Sequence, residues 1–223
     1  MDALTMARTI APHTMMTADD RVALVAAARA ALGIASARCI LEIGTYHGAS
    51  TVLLAAVARE FDGAWVLAID PFRVDPAVPR HWDWRFREPY FEHWAARVRE
   101  HQAWDVVLCI VGKAPAAARL VPDVALCMVD GDHGTEGILL DLKSYASHVD
   151  PGGAVYLHDY KTHATIRSGV DQFLSGMPAW KLVTVGTSKA PPNCALLVRD
   201  DGVAAQFPRE LERATECVGG NAC

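Results

Sequence analysis

Apolar residues along this chain follow two alternating patterns. Residues 18–32, 49–60, 89–101, 114–120, 134–147 and 164–175 carry them at helical spacing. Between these segments lie short apolar runs: CILEIG at 39–44, WVLAID at 65–70, WDVVLCIV at 104–111, VALCMVD at 124–130, GAVYLHD at 153–159, WKLVTVG at 180–186 and NCALLVR at 193–199. Thr17 or Asp19 is suited to cap the first helix, and Asp150-Pro151-Gly152-Gly153 predicts a turn before the fifth run. Five near-continuous apolar runs alternating with helices call for parallel βαβ units with both sheet faces covered. The last two runs are joined by TSKAPPN, which leaves no room for a helix, so they predict a hairpin-like antiparallel pair. The expected fold is α/β: a doubly wound, mostly parallel sheet with one antiparallel strand. Right-handed crossovers then place a ligand crevice at the C-terminal ends of the first, second and fourth strands.

Length and charge narrow this picture. A chain of 223 residues suggests one domain over 18–200, with an N-terminal segment at 1–17 and a tail at 201–223. No apolar run reaches the roughly 18 to 20 residues of a membrane span, and the N-terminus shows no apolar leader core. A cytoplasmic protein without a membrane partner is expected. The formal net charge of −5 offers no basic face, so a nucleic-acid partner is set aside. Four of the six cysteines (Cys39, Cys109, Cys127, Cys194) sit in strand-like runs and none forms a C-x-x-C pair. They read as buried thiols in a reducing compartment, with Cys217 and Cys223 in a loose tail.

Candidate chemistry gathers at the strand ends. After the first strand, Gly44 and Gly48 bracket Thr45-Tyr46-His47, a turn that lets backbone approach a ligand before a helix N-terminus. Tyr46 stands where a G-x-G-x-x-G fingerprint needs glycine, so the turn suits a ligand without a pyrophosphate. Asp70 ends the second strand, 26 positions after Gly44, where an acidic side chain accepts ribose hydroxyls in this architecture. The fourth and fifth strands end in Asp130-Gly131-Asp132-His133 and His158-Asp159, which adjacent parallel strands would bring to one rim. Carboxylates there suit Mg²⁺, while a histidine ligand shifts preference toward Mn²⁺ or Fe²⁺. His133 is suited to act as a base near neutral pH.

The segments LEIGTYHGAS, AIDPF, VDGDHxxExxxxDL and PGGxVYLHDY resemble class I S-adenosylmethionine (SAM)-dependent methyltransferases. The likeness is to the group of macrocin- and mycinamicin-type sugar O-methyltransferases and cephalosporin-hydroxylase-like proteins, and runs from about residue 38 to 199. It implies a Rossmann-like seven-stranded sheet and a SAM site. Glu42, Gly44, Gly48 and Ser50, with Thr45 and Tyr46, would line the methionine end. Asp70 would hold the ribose, and Gly112, Lys113 and Ala114 would lie near the adenine. Asp130 would border the cofactor and, with Asp159, match metal-ligand positions, with Mg²⁺ the expected ion. His133 matches the general-base position. His158 falls where relatives carry an acidic ligand, which leaves the identity of the metal open.

Residues 73–90 (RVDPAVPRHWDWRFREPY) pack arginines and aromatics directly after Asp70. Trp82, Trp84 and Arg85 are the candidate substrate contacts of a lid over an acceptor; a homodimer contact or a structural loop fits the same composition. The leading expectation is metal-assisted O-methylation of a small hydroxylated molecule, sugar-like or from natural-product biosynthesis. N- or carboxyl methylation or a non-methylating use of SAM, an NAD(P)-dependent oxidoreductase, and an inactive SAM-binding module remain alternatives.

Overall fold

The central strands of this chain bury both of their faces, and the core divides accordingly. In a computed structural model describing residues 2–10, 14–73, 90–184 and 193–199, with Phe207 and Leu211, seven strands form one sheet. They are β1 (Cys39–Ile43), β2 (Trp65–Asp70), β3 (Val107–Val111), β4 (Val124–Val129), β5 (Val149–His158), β6 (Trp180–Thr184) and β7 (Cys194–Arg199), in the order β3-β2-β1-β4-β5-β7-β6. The first five are mutually parallel, and β7 runs antiparallel to both β5 and β6. This is the expected doubly wound sheet with one antiparallel strand.

The helices are α1 (Ala3–Thr9), α2 (Ala18–Ile34), α3 (Ala49–Ala58), α4 (Phe91–Glu100), α5 (Ala114–Ala117), α6 (Thr135–Tyr145) and α7 (Ala164–Gly176). Ile40, Val66, Met128 and Tyr156 point to one face and pack with α1 to α4. Leu41, Leu67, Cys127 and Val155 point to the other and pack with α5 to α7. The strand period of two thus splits each apolar run between two cores.

Three features depart from the sequence expectation. Residues 3–9 form α1, which buries Ala3, Leu4 and Ala7 against the same core as α2, and Phe207 and Leu211 from the tail are buried there too. Trp104 lies in a 3-10 turn at Ala103–Asp105, so β3 begins at Val107; the left-handed backbone of Gln102 (φ 54°) forces that turn. The expected turn at 150–153 is instead the bulged start of β5, with Gly152 at φ 80° and a register shift opposite Val124 and Leu126. The 74–89 stretch, the 185–192 connection, and Cys217 and Cys223 lie outside the described residues.

Candidate active site

At the C-terminal ends of β1 and β2 the chain turns sharply. Gly44 adopts φ 81°, and any Cβ there would strike the carbonyl of Asp130. Gly48, at φ 80°, starts α3 with Trp94 so close beneath that a Cβ would come within 2.9 Å of its ring. The two glycines are therefore required by the close approach of Asp130 after β4 and of Trp94 on α4.

Asp70 clamps this turn. Its Oδ2 accepts from the backbone N–H of Thr45 (2.8 Å) and Tyr46 (3.3 Å). Its Oδ1 accepts from the N–H of Phe72 (2.6 Å) and the phenol of Tyr90 (2.9 Å). These bonds hold Tyr46 (φ 46°) and Phe72 (φ 49°) in the left-handed region, which costs roughly 1 to 3 kcal/mol per residue. A ribose hydroxyl reaching Oδ1 would compete with Tyr90.

Glu42, on β1 just before the turn, is fully buried. Trp94 Nε1 donates to Thr51 Oγ1 (3.0 Å), which donates to Glu42 Oε2 (2.6 Å). Glu42 Oε1 has no hydrogen-bond partner, and burial pushes the carboxyl pKa up to about 8. An ammonium-bearing ligand end beside the free oxygen would offset the burial and favour the ionised carboxylate. Ser50 is buried beside it on α3. Gly112 and Lys113, with Pro71, Arg73 and Val111, line an open cleft of about 260 Å³ past the ends of β2 and β3, where the resemblance puts the adenine. Ala114 is buried behind it.

The second corner lies at the ends of β4 and β5. Asp130 Oδ1 stands 3.0 Å from His158 Nδ1 and 3.6 Å from His133 Nε2. Asp159 Oδ2 stands 3.4 Å from His158 Nδ1 and 3.6 Å from His133 Nε2. Asp159 adopts φ 55°, which turns its side chain back toward the rim. Burial disfavours charge on His158, but the carboxylates of Asp130, Asp159 and Asp20 outweigh it and raise the imidazole well above its usual range. Burial likewise works against Asp130, yet His158 and His133 bring its pKa down to about 2. The neighbouring Asp130 carboxylate raises His133.

Asp132, expected at this rim, does not join it. Its Oδ1 accepts from Gly134 N (2.7 Å) and shapes the entry to α6. Two residues missed in the sequence do join. Asp20, one turn into α2, approaches His158 Nε2 (3.8 Å), and Asn193 Nδ2 donates to Asp159 Oδ1 (2.6 Å). The T-x-x-D capping signature at 17–20 was visible in the sequence; its partner at 158 was not. Trp82, Trp84 and Arg85 lie outside the described residues.

The donor chemistry fits a divalent cation. Ligand atoms about 2.1 Å from one ion lie roughly 3.0 to 3.4 Å from each other, and His158 Nδ1 stands at 3.0 Å from Asp130 Oδ1 and 3.4 Å from Asp159 Oδ2. His133 and His163 form a second such group with Asp159.

A model of the methyltransferase-domain family matches residues 41–160, more than half of the chain. The chain belongs to the methyltransferase-domain family. The matched stretch runs from within β1 to just past β5 and so contains both corners apart from Asp20 and Asn193. Solved structures share the fold of this methyltransferase. The O-methyltransferase NovP superposes with a TM-score of 0.67 at 19% identity, covering 84% of each chain. Cofactor-bound Rv0187 from MTB gives 0.60 at 18% identity, over 89% of this chain and 88% of that one. An O-methyltransferase from Bacillus cereus in complex with SAH gives 0.57 at 15% identity, over 86% of this chain and 82% of that one. The protein is a methyltransferase by family, with the fold of these solved methyltransferases.

Proposed function

We propose that this methyltransferase is an O-methyltransferase that acts on a hydroxyl of a small molecule with the help of a divalent cation. The observation that carries the reading is the convergence of Asp130, His158, Asp159 and His133 directly beside the Gly44 turn, where Asp130 N donates to Ile43 O (2.9 Å). An alcohol is a poor nucleophile at neutral pH. SAM supplies an electrophilic methyl group, and a bound divalent cation supplies positive charge that lowers a hydroxyl pKa.

The protein's own residues divide the remaining work. Glu42, Gly44, Thr45, Tyr46, Gly48 and Ser50 hold the methionine end, Asp70 the ribose, and Gly112, Lys113 and Ala114 the adenine edge. Asp130, His158 and Asp159 would hold the cation. His133 accepts the hydroxyl proton at Nε2, between the two carboxylates. The VDGDH and HDY segments favour a sugar-like or natural-product acceptor, as in the macrocin- and mycinamicin-type group. NovP and the Bacillus cereus protein, both O-methyltransferases, support the choice of oxygen.

The test is methyl transfer from isotopically labelled SAM to a panel of hydroxylated sugars, phenols, amines and carboxylic acids, with and without EDTA. Label on oxygen that disappears with EDTA is expected. Label on nitrogen or carboxyl groups, indifferent to EDTA, would overturn the reading.

A further inference from the structure

A capping-box carboxylate belongs at a surface, where its work is local. Asp20 does that work: its Oδ2 accepts from Thr17 N (2.9 Å) and Thr17 Oγ1 (2.7 Å) at the start of α2. Yet Asp20 is buried, 1% exposed, and faces the ends of β5 and β7. Its Oδ1 accepts from Asn193 N, and its backbone carbonyl accepts from Tyr156 Oη (3.0 Å). The ring of His158 lies between Asp20 and the candidate metal ligands. Its Nδ1 faces Asp130 and Asp159, while its Nε2 is buried without a hydrogen-bond partner, 3.8 Å from Asp20 Oδ2.

A carboxylate hydrogen-bonded behind an imidazole sets which ring nitrogen carries the proton and which is left for a metal, and Asp20 stands in that place a few tenths of an ångström beyond hydrogen-bond distance. Asn193 plays the matching part for Asp159. Its Oδ1 accepts from Lys161 N and Thr162 N (both 3.0 Å), which fixes the amide so that Nδ2 donates to Asp159 Oδ1 and leaves Oδ2 facing His158 and His133.

We propose that Asp20 is a positioning residue that orients His158 with Nδ1 as a metal ligand, and that the resulting nitrogen-containing site takes a first-row transition ion in preference to Mg²⁺. The proposal rests on the metal-assisted reading above. Imidazole is a good ligand for such ions and a poor one for Mg²⁺, which holds oxygen ligands and its own water. The ordinary alternative is that Asp20 only caps α2, and Thr17 separates the two. Thr17→Ala removes the cap partner and keeps the carboxylate behind His158.

The experiment uses the metal-stripped full chain and reads Co²⁺, Mn²⁺ and Mg²⁺ binding by calorimetry, with the Co²⁺ d–d absorption spectrum as a structural readout. Wild type is expected to bind Co²⁺ and Mn²⁺ at least about 100-fold more tightly than Mg²⁺. Asp20→Ala should weaken Co²⁺ roughly 10- to 100-fold and alter its spectrum. Thr17→Ala should lower thermal stability and leave the Co²⁺ spectrum unchanged. His158→Asp should reduce the Co²⁺/Mg²⁺ ratio at least about tenfold, by replacing nitrogen with oxygen. Equal effects of Asp20→Ala and Thr17→Ala on Co²⁺, or a ratio that His158→Asp leaves unchanged, would overturn the proposal while the metal-assisted reading stands. Failure of wild type to bind any of the three ions at millimolar concentration would overturn both.

Discussion

The two corners of the site are built on opposite plans. At the β1–β2 corner the polar side chains are occupied by neighbouring backbone and by neutral donors. Asp70 spends both oxygens on Thr45, Tyr46, Phe72 and Tyr90, and Glu42 sits neutral behind Thr51. At the β4–β5 corner, charged groups face one another across a gap: Asp130 and Asp159 on one side of His158, Asp20 on the other, and His133 opposite. The first plan suits a ligand that enters a preformed cradle. The second concentrates charge, which is what the proposed handling of a proton and a cation calls for. Substitutions at one corner should therefore leave the function of the other largely intact.

The strongest way to break this comparison is at the charged corner. Asp130→Asn and Asp159→Asn should each lower methyl transfer by roughly 10²- to 10⁴-fold, while calorimetric S-adenosylhomocysteine affinity stays within about threefold. A parallel loss of cofactor affinity would show that the corners act as one. Next in size, Asp70→Ala should weaken S-adenosylhomocysteine by about 100-fold or more, through lost charged hydrogen bonds and a released turn. Divalent-ion affinity measured on the same variant should be retained.

A smaller effect appears in stability against pH. Folded Glu42 keeps its proton up to about pH 8 because it is buried, whereas an exposed carboxyl loses it near 4.5. Between those values the folded state binds the extra proton, so stability falls as pH rises. Asp141, raised by burial from 3.8 to about 7, adds a change of the same sign. Urea unfolding at pH 5 and pH 8 should show the decline, and Glu42→Gln should make it shallower; an unchanged slope would place the pH dependence elsewhere. The smallest effect is expected at Tyr90. Removing its phenol frees one acceptor site on Asp70, so Tyr90→Phe should tighten S-adenosylhomocysteine by a few-fold, in keeping with about 1 kcal/mol for a competing hydrogen bond. Weaker binding would mean that Tyr90 supports the cofactor rather than competing with it.

The same contrast separates what could be read from the chain from what could not. The alternation of helical and strand spacing was enough to determine the doubly wound sheet, its one antiparallel strand and the placement of Gly44, Asp70, Asp130 and Asp159 at strand ends, because side-chain periodicity and parallel crossovers follow from local geometry. His133 and His158 were legible for the same reason, being neighbours of those ends. Only the folded chain decided that Asp132 turns away to shape the entry to α6, that Tyr90 closes on Asp70, and that Asp20 and Asn193 stand behind His158 and Asp159. Asp20 and His158 are far apart in the chain, and no periodicity carries information across such a separation. Their meeting depends on how α2 packs over β5, with Tyr156 anchored to the Asp20 carbonyl. Packing of that kind is a property of the whole core, and it placed a helix cap within reach of the candidate catalytic centre.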